Sequence, residues 1–360
     1  MQEIFHKYFT KSGGSFCNNL SLIIPAILRC GKANTALIAK EMSKANGLDF
    51  HSNDIHLSRF LQLDKFQIDD SFWRQHIKMI FDFMKESDMI SSNELIPINV
   101  DFTSNEDNFL ILSASVNIND KAVMLYFSSR LYYHKKYSID QKKMEEAFIK
   151  ALRHILSKQY KYIIVADRGF GNKRFANLCK ENNFEYILRM TSNFNIKTSD
   201  EKEINIKSLN NQNIRNLNCF VKAWKEDAIF DINTDNGSTW FLLKSNHQLD
   251  GVAIYEKRFK IEKFFQDTKS SGFDIEKTKI KKYDRFKRLL FLIGLAHAIA
   301  VIVGNFLNNN KNNIKKNSVL HIKTISALLG WESEHFPPSL MNPLKSSPGF
   351  CWLGGDGVGE

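Results

Sequence analysis

Proline and glycine are scarce in this chain, at 6 and 17 of 360 residues, which excludes collagen-like and proline-rich scaffolds. Cysteine is sparse and scattered. Cys17, Cys30, Cys179, Cys219 and Cys351 form no C-x-x-C pair, which argues against a zinc ribbon or a thioredoxin motif and fits a reducing compartment. The opening residues, MQEIFHKYFTKSGG, lack the apolar stretch of a secretory signal. No apolar run reaches the roughly 18–20 residues that cross a bilayer. The longest, Leu289–Val303, is interrupted by His297 and reads as a buried core helix with a satisfied core histidine. None of the ten histidines falls in a metal-binding spacing such as H-E-x-x-H. Acidic residues are the minority charge, 39 against 50 Lys plus Arg, for a formal charge of +11. That excess points to a polyanionic partner, nucleic acid before membrane.

What is present suits a folded protein. Hydrophobic residues make up 43%, enough for a sizeable core. The length allows two or three domains, or one core with additions. Residues 1–90 read as a helical region. Ala33–Ala45 repeats apolar residues at helical spacing and stops at Asn46-Gly47. Ser52 or Asn53 could cap a second helix through Ile55, Leu57 and Phe60. This helix–turn–helix reads equally well as a DNA-reading module or as a plain helical hairpin. Ser71–Lys85 is a further amphipathic helix with Phe72, Ile77, Ile80 and Phe81 on its core face.

From about residue 95 the period changes to that of strands. Ile96–Thr103, Phe109–Val116 and Ala122–Phe127 read as an antiparallel meander, with Asn119-Asp120 as a turn. A helix follows over Ser138–Ser157, with Ser138 and Gln141 as a capping box. Tyr162–Ala166 is a short continuous apolar run, the mark of a buried parallel strand. Asp167, a glycine-bearing loop, a helix near Lys173–Glu181 and a fifth strand over Tyr186–Met190 come next. The order βββ, α, β, α, β predicts an α/β fold of ribonuclease H type, a mixed sheet flanked by helices. Residues 191–250 read as a β insertion with strands at Cys219–Trp224, Ile229–Asn233 and Thr239–Lys244, and a hairpin at Asn236-Gly237. Residues 95–190 and 251–305 then form the two parts of that α/β domain, and 306–360 an extension. Asn305–Asn317 reads as a loop or linker, and GGDGVG in the tail is no phosphate loop, since no strand precedes it.

The segment YEKRFKIEKFFQDTK, Tyr255–Lys269, carries the chemistry. On a continuous helix at 100° per residue, Tyr255, Arg258, Glu262 and Lys269 fall within a stripe of about 60°. Ile254, Ile261 and Phe265 lie on an adjacent core face. Periodicity alone leaves Glu262 open to a second reading, a salt-bridged surface residue. Two other acids add weight. Asp101 sits inside the first strand between Val100 and Phe102, and Asp167 ends the fourth. In a ribonuclease H-like sheet these strands are parallel neighbours, so both carboxylates emerge side by side. Clustered carboxylates need compensating charge, and Mg²⁺ supplies it through hard oxygen ligands.

Three motifs resemble the DDE transposases of the IS4 type from bacterial insertion sequences. They are INVDFT around Asp101, VADRGFGN around Asp167, and Tyr-x2-Arg-x3-Glu-x6-Lys over Tyr255–Lys269, which is similar to the family's YREK signature. The apolar segment Arg285–Gly304 resembles the helix that follows it. The resemblance implies metal-dependent cleavage and strand transfer at the ends of a mobile element. It implies Asp101, Asp167 and Glu262 as catalytic ligands of Mg²⁺ or Mn²⁺, and Tyr255, Arg258 and Lys269 as DNA-backbone contacts. It implies double-stranded DNA as partner (terminal inverted repeats and target), self-association on DNA, no membrane, and a cytoplasmic, nucleoid-associated setting. Two alternatives stand beside it: a ribonuclease H-like nuclease without strand transfer, and a non-catalytic DNA-binding protein of transposase descent.

Other features carry plainer expectations. Trp224 and Trp240 are expected to pack within the β insertion, and Asp274, Glu276 and Asp284 to be solvated. The basic run Lys277–Arg288 is a DNA-backbone candidate, because phosphate contacts need charge rather than sequence detail.

Overall fold

The protein is seen as a computed structural model. It describes residues 1–312 except 64–65, 92–93, 106–108, 132–136, 236, 270–272, 276–277 and 279; side chains at 10, 105, 137–140, 267–269 and 306–312 are also outside the described set. Cys351 and the GGDGVG tail therefore lie outside the described residues, as does the side chain of Ser138.

The meander forms as the alternation predicts. Strands β1 (Leu95–Asn105), β2 (Phe109–Ile118) and β3 (Lys121–Leu131) pair antiparallel. Asn119 takes a left-handed conformation in the β2–β3 turn, φ 50°, which asparagine tolerates. Helix α6 (Tyr137–Ile155; numbered after the five N-terminal helices given below) then returns the chain so that β4 (Lys161–Ala166) runs parallel beside β1. Helix α7 (Lys173–Glu181) leads to β5 (Glu185–Met190), parallel to β4. The order β3-β2-β1-β4-β5 is the expected ribonuclease H-like core.

The insertion is larger than its sequence pattern indicated. Strands β9 (Glu226–Asp235) and β10 (Ser238–Lys244) cover two expected strands. Strand β8 (Ile214–Val221) starts earlier than the expected Cys219–Trp224 and ends at Val221, Trp224 lying in the following turn. The insertion also contains β6 (Asn195–Thr198) and β7 (Glu203–Asn205). Both are short and polar, so no apolar alternation marks them. Strand β10 pairs antiparallel with β5, so the insertion continues the core into one ten-stranded sheet.

Five helices precede the sheet: α1 (Gln2–Tyr8), α2 (Gly14–Cys30), α3 (Thr35–Asn46), α4 (Phe50–Phe60) and α5 (Asp70–Glu86). Gly47 ends α3 in the left-handed conformation, as Asn46-Gly47 foretold. The cap of α4 is Asp49, not Ser52 or Asn53: its carboxylate accepts from the Ser52 N–H at 2.9 Å. Asn53 is instead buried and donates to the Ser43 hydroxyl. The expected core face of α5 is buried at all four positions.

After β10 come α8 (Gly251–Glu256), a 3₁₀ turn over Lys257–Phe259, α9 (Lys260–Lys269) and α10 (Tyr283–Asn312). Helix α10 is the expected apolar helix, and it continues through Asn312 where a loop was anticipated from Asn305. Its segment Tyr283–Asn305 is long and apolar enough to cross a membrane, but its apolar window is 83% buried within the fold. His297 is buried as expected, yet neither ring nitrogen finds a hydrogen-bond partner. Phe72 and Trp73 of α5 meet Phe291 of α10 at ring-centroid distances of 4.7 and 5.1 Å. The buried apolar residues of the N-terminal helices, the sheet and α10 form one continuous cluster.

Two faces of the sheet matter for the site. Ile96, Ile98, Val100, Ile164 and Ala166 point into that main cluster. On the opposite face Ile163, Val165, Ile187 and Leu242 form a second cluster with Val252 and Tyr255 of α8. Strand alternation puts Asn99 and Asp101 on this second face.

Candidate active site

Asp101 lies one residue beyond the part of β1 that pairs with β4. The last paired residues are Val100 and Ala166, so Asp101 and Asp167 follow as the next step on both strands and share a face. Each aspartate is fixed by its own backbone neighbourhood. Asp101 Oδ1 accepts from the Phe102 N–H at 2.8 Å. Asp167 caps the turn Arg168–Phe170 through the Gly169 N–H at 2.9 Å. On the other side of the sheet, Phe102 and Phe170 stack with centroids 5.2 Å apart and planes 4° from parallel, which ties the two strand ends together. Gly171 follows because nothing larger fits: a Cβ there would lie 2.2 Å from the Arg189 carbonyl oxygen of β5.

The helical side reaches the sheet through Arg258, which is 3% exposed. One guanidinium nitrogen donates to Asp101 Oδ2 at 3.1 Å and the other to Glu262 Oε1 at 2.6 Å. Arg258 also lies 5.4 Å from the Tyr255 ring centroid and 5.0 Å from that of Phe259. Burial pushes the Asp101 carboxyl up to about 6, with the Asp167 charge adding to it and Glu262 contributing less; Arg258 and the Phe102 N–H oppose the shift. Burial alone would lower the proton affinity of Arg258. Tyr255, Asp101, Glu262 and Asp167 reverse that and leave the guanidinium above its ordinary value. Three acids and one arginine thus act as a single electrostatic unit.

This geometry corrects the continuous-helix picture of Tyr255–Lys269. The 3₁₀ turn at Lys257–Phe259 breaks the helix, so Tyr255 belongs to α8 and Glu262 to α9. Arg258 and Glu262 still meet, four residues apart. Tyr255 is fully buried, its ring 5.4 Å from Trp240 and its hydroxyl without a hydrogen-bond partner. Glu262 keeps a half-exposed side chain. Lys269 closes α9, and its side chain lies outside the described residues. Of the basic run, Lys277 and Lys279 lie outside the described residues. Arg288 is turned inward and donates to the carbonyls of Phe66 and Leu61. Lys281 and Lys282 are exposed. Asp274, expected in solvent, is buried, Asp284 is exposed, and Glu276 lies outside the described residues.

Residues 127–299 match the family model of the transposase DDE domain. The match supports a DDE transposase. It takes in Asp167, Glu262 and the whole Tyr255–Lys269 segment, while Asp101 lies upstream of it on β1. No curated protein matches the chain.

Among the described residues, no group of three His, Cys, Asp or Glu side chains stands ready in metal-binding geometry. The donor chemistry nevertheless fits a hard divalent ion. Asp101, Asp167 and Glu262 offer only carboxylate oxygens, their charges bear on one another, and Arg258 supplies the compensating positive charge. Unpartnered buried polar atoms also gather here. Ser113 lies directly across from Asp101 and Ser115 from Asn99. Asn99 Oδ1, both serine hydroxyls, the Tyr255 hydroxyl and Arg258 Nε all lack partners. They are five of the ten such atoms among the described residues, which marks this face as one shaped for more than packing.

Sequence reading missed the groups that seat the helices. Asp231 on β9 is wholly buried; it pairs with Lys244 at 2.8 Å and accepts from the Gly251 N–H at 2.9 Å, where α8 begins. A Cβ on Gly251 would lie 2.7 Å from that carboxylate. A polar residue in an apolar stretch of strand, such as Asp231 between Phe230 and Ile232, was the available signal.

Proposed function

We propose that the protein is a transposase of the IS4 type that cuts DNA at the ends of an insertion sequence and transfers the strands into target DNA. The observation that carries this reading is the joining of Asp101 and Glu262 by one buried guanidinium, with Asp167 on the same face of a ribonuclease H-like sheet. Asp101, Asp167 and Glu262 would hold Mg²⁺ or Mn²⁺. When bound, such ions supply an activated water or 3′-hydroxyl and stabilise the leaving oxygen of an in-line phosphoryl transfer.

The chain's own residues divide the remaining work. Asp101 gives a shielded oxygen ligand and Glu262 an accessible one. Arg258 offsets part of their charge in the DNA-free protein and can meet phosphate once cations occupy the carboxylates; Lys269, at the end of α9, is assigned to the DNA backbone. Terminal repeats and target are the DNA partners, with self-association on the repeats. Residues 1–90 are assigned to holding the DNA ends and 191–250 to an insertion between the two catalytic segments.

The test is an assay of the full chain with Mg²⁺ or Mn²⁺ and a duplex carrying the terminal repeats that flank its gene. Cleaved ends and joined products are expected. Cleavage without joining would favour the nuclease alternative, and binding without cleavage a DNA-binding role.

A further inference from the structure

The end of the β2–β3 hairpin grips the break between α8 and α9 at two points. Asn117 Nδ2 donates to the Lys257 carbonyl at 2.9 Å, and Asn117 Oδ1 accepts from Asn99 Nδ2 at 3.1 Å. Three residues past Lys257, Lys260 Nζ donates to the Asn119 carbonyl at 3.0 Å and to Asp120 Oδ1 at 2.7 Å. Asn99 precedes Asp101 by two residues on β1 and so shares its face. A run of side-chain amides therefore connects the Asp101 strand, through β2, to the backbone of the residue just before Arg258.

Neither asparagine is accounted for by strand formation, since Asn is a poor strand former. Asn99 is 1% exposed, and burying its amide is costly unless the amide does something. What it does is visible at the break. The Lys257 carbonyl already accepts from the Lys260 N–H as the 3₁₀ turn closes, and Asn117 takes its second lone pair. The turn is thereby tethered to the end of the β2–β3 hairpin, which sets how the Arg258–Glu262 pair sits against Asp101. A slip of one residue there would turn these side chains by about 100°, enough to carry Arg258 and Glu262 away from Asp101.

We propose that Asn117 is a positioning residue for the active site: with Asn99 it fixes the Lys257–Phe259 turn, and through it the places of Arg258 and Glu262 against Asp101. The proposal rests on the assignment of Asp101, Asp167 and Glu262 as the cation-holding set. Asn117 touches no reacting group; it acts through the turn.

The test uses the full-length protein with Asn117→Ala, Asn117→Asp and Lys260→Ala. Asn117→Asp keeps the shape and can accept from Asn99, but its carboxylate cannot donate to the Lys257 carbonyl. Three quantities are measured: Mn²⁺ affinity without DNA by calorimetry, kcat and KM for a terminal-repeat duplex, and melting temperature. Both Asn117 variants should lose kcat by about 10–100-fold, the range for mispositioned groups next to a metal site. Mn²⁺ binding should weaken several-fold, KM should stay within about twofold, and Lys260→Ala should move the same quantities less. Wild-type kcat and Mn²⁺ affinity in Asn117→Asp would overturn the proposal, as would a fall in melting temperature alone. If Asn117→Ala does not fold, the other two variants carry the same readouts. Asp101→Asn is measured alongside. If it keeps Mn²⁺ binding and cleavage, the site assignment itself fails; if it is dead while the Asn117 variants behave as wild type, only the positioning role fails.

Discussion

Arg258 meets Asp101 at 3.1 Å across 157 residues of chain, and the same guanidinium holds Glu262. A buried carboxylate on a strand and a half-exposed one on a helix are thereby drawn to one centre of positive charge. One guanidinium offsets only part of the charge of the neighbouring carboxylates, and on the proposed assignment a metal ion entering the site would compete with an arginine already in place.

Removing either acid should separate catalysis from docking. Asp101→Asn and Glu262→Gln are expected to reduce end cleavage by more than about 100-fold, since even outer-shell partners of metal sites are worth about 10–100-fold. Binding of the terminal repeat should persist, because each substitution removes a negative charge facing phosphate. Gel shifts beside cleavage assays decide this, and parallel loss of both would count against the assignment.

Replacing Arg258 by methionine keeps much of its length and removes the competing charge. Arg258→Met should therefore tighten Mn²⁺ binding to the DNA-free protein by about tenfold, roughly the effect of one close charge. On DNA the same change should cost about one phosphate contact, seen as a shallower slope of log K against log salt. Lys269→Ala should flatten the slope in the same way. Unchanged slopes would remove the DNA-contact role from both residues.

The Asp101 carboxyl, raised by burial to about 6, predicts opposite pH trends for stability and for cation binding. The folded chain holds this proton more tightly than the unfolded one, where an aspartate titrates near 3.8. The contribution of Asp101 to metal-free stability is therefore full below about pH 4, declines up to about 6 and is level above that. Mn²⁺ must displace the proton, so affinity should fall by up to about tenfold per pH unit below about 6. Calorimetric titrations between about pH 5 and 7 read this directly; a flat affinity across that range would rule it out.

His297 offers a test in the core. Burial drives its imidazole down to about 3, so it stays neutral, and both ring nitrogens lack partners beside Phe264. His297→Leu replaces two unsatisfied groups with hydrocarbon of similar bulk and should stabilise the fold by about 1–2 kcal/mol. Asp231→Ala does the reverse. It leaves the buried Lys244 ammonium unpaired and should cost about 3–5 kcal/mol. Urea unfolding of both variants supplies the comparison.

Much of the core was legible because the relevant patterns are local. The alternation over Ile96–Thr103 and the apolar run Tyr162–Ala166 fixed two strands, and Asp101 and Asp167 then followed from chain order. The break at Lys257–Phe259 was not legible. Its residues include neither glycine nor proline, and the hydrogen bonds that hold it come from Asn117 and from Asn119-Asp120, roughly 140 residues earlier in the chain. A helical wheel gave the angles of Tyr255 and Arg258 but not the side that would be covered, because the cover is the sheet face beneath them. Strands β6 and β7 escaped notice because their pairing, rather than their composition, makes them strands.

The hydrophobic cluster shared by α1–α5, the sheet and α10 has a consequence for how the molecule can be divided. A cut near residue 90 would pull Phe72 and Trp73 away from Phe291 and lay bare an apolar wall of the ten-stranded sheet. The helical region is thus load-sharing masonry of the same building, and heating should melt it together with the sheet in one cooperative step.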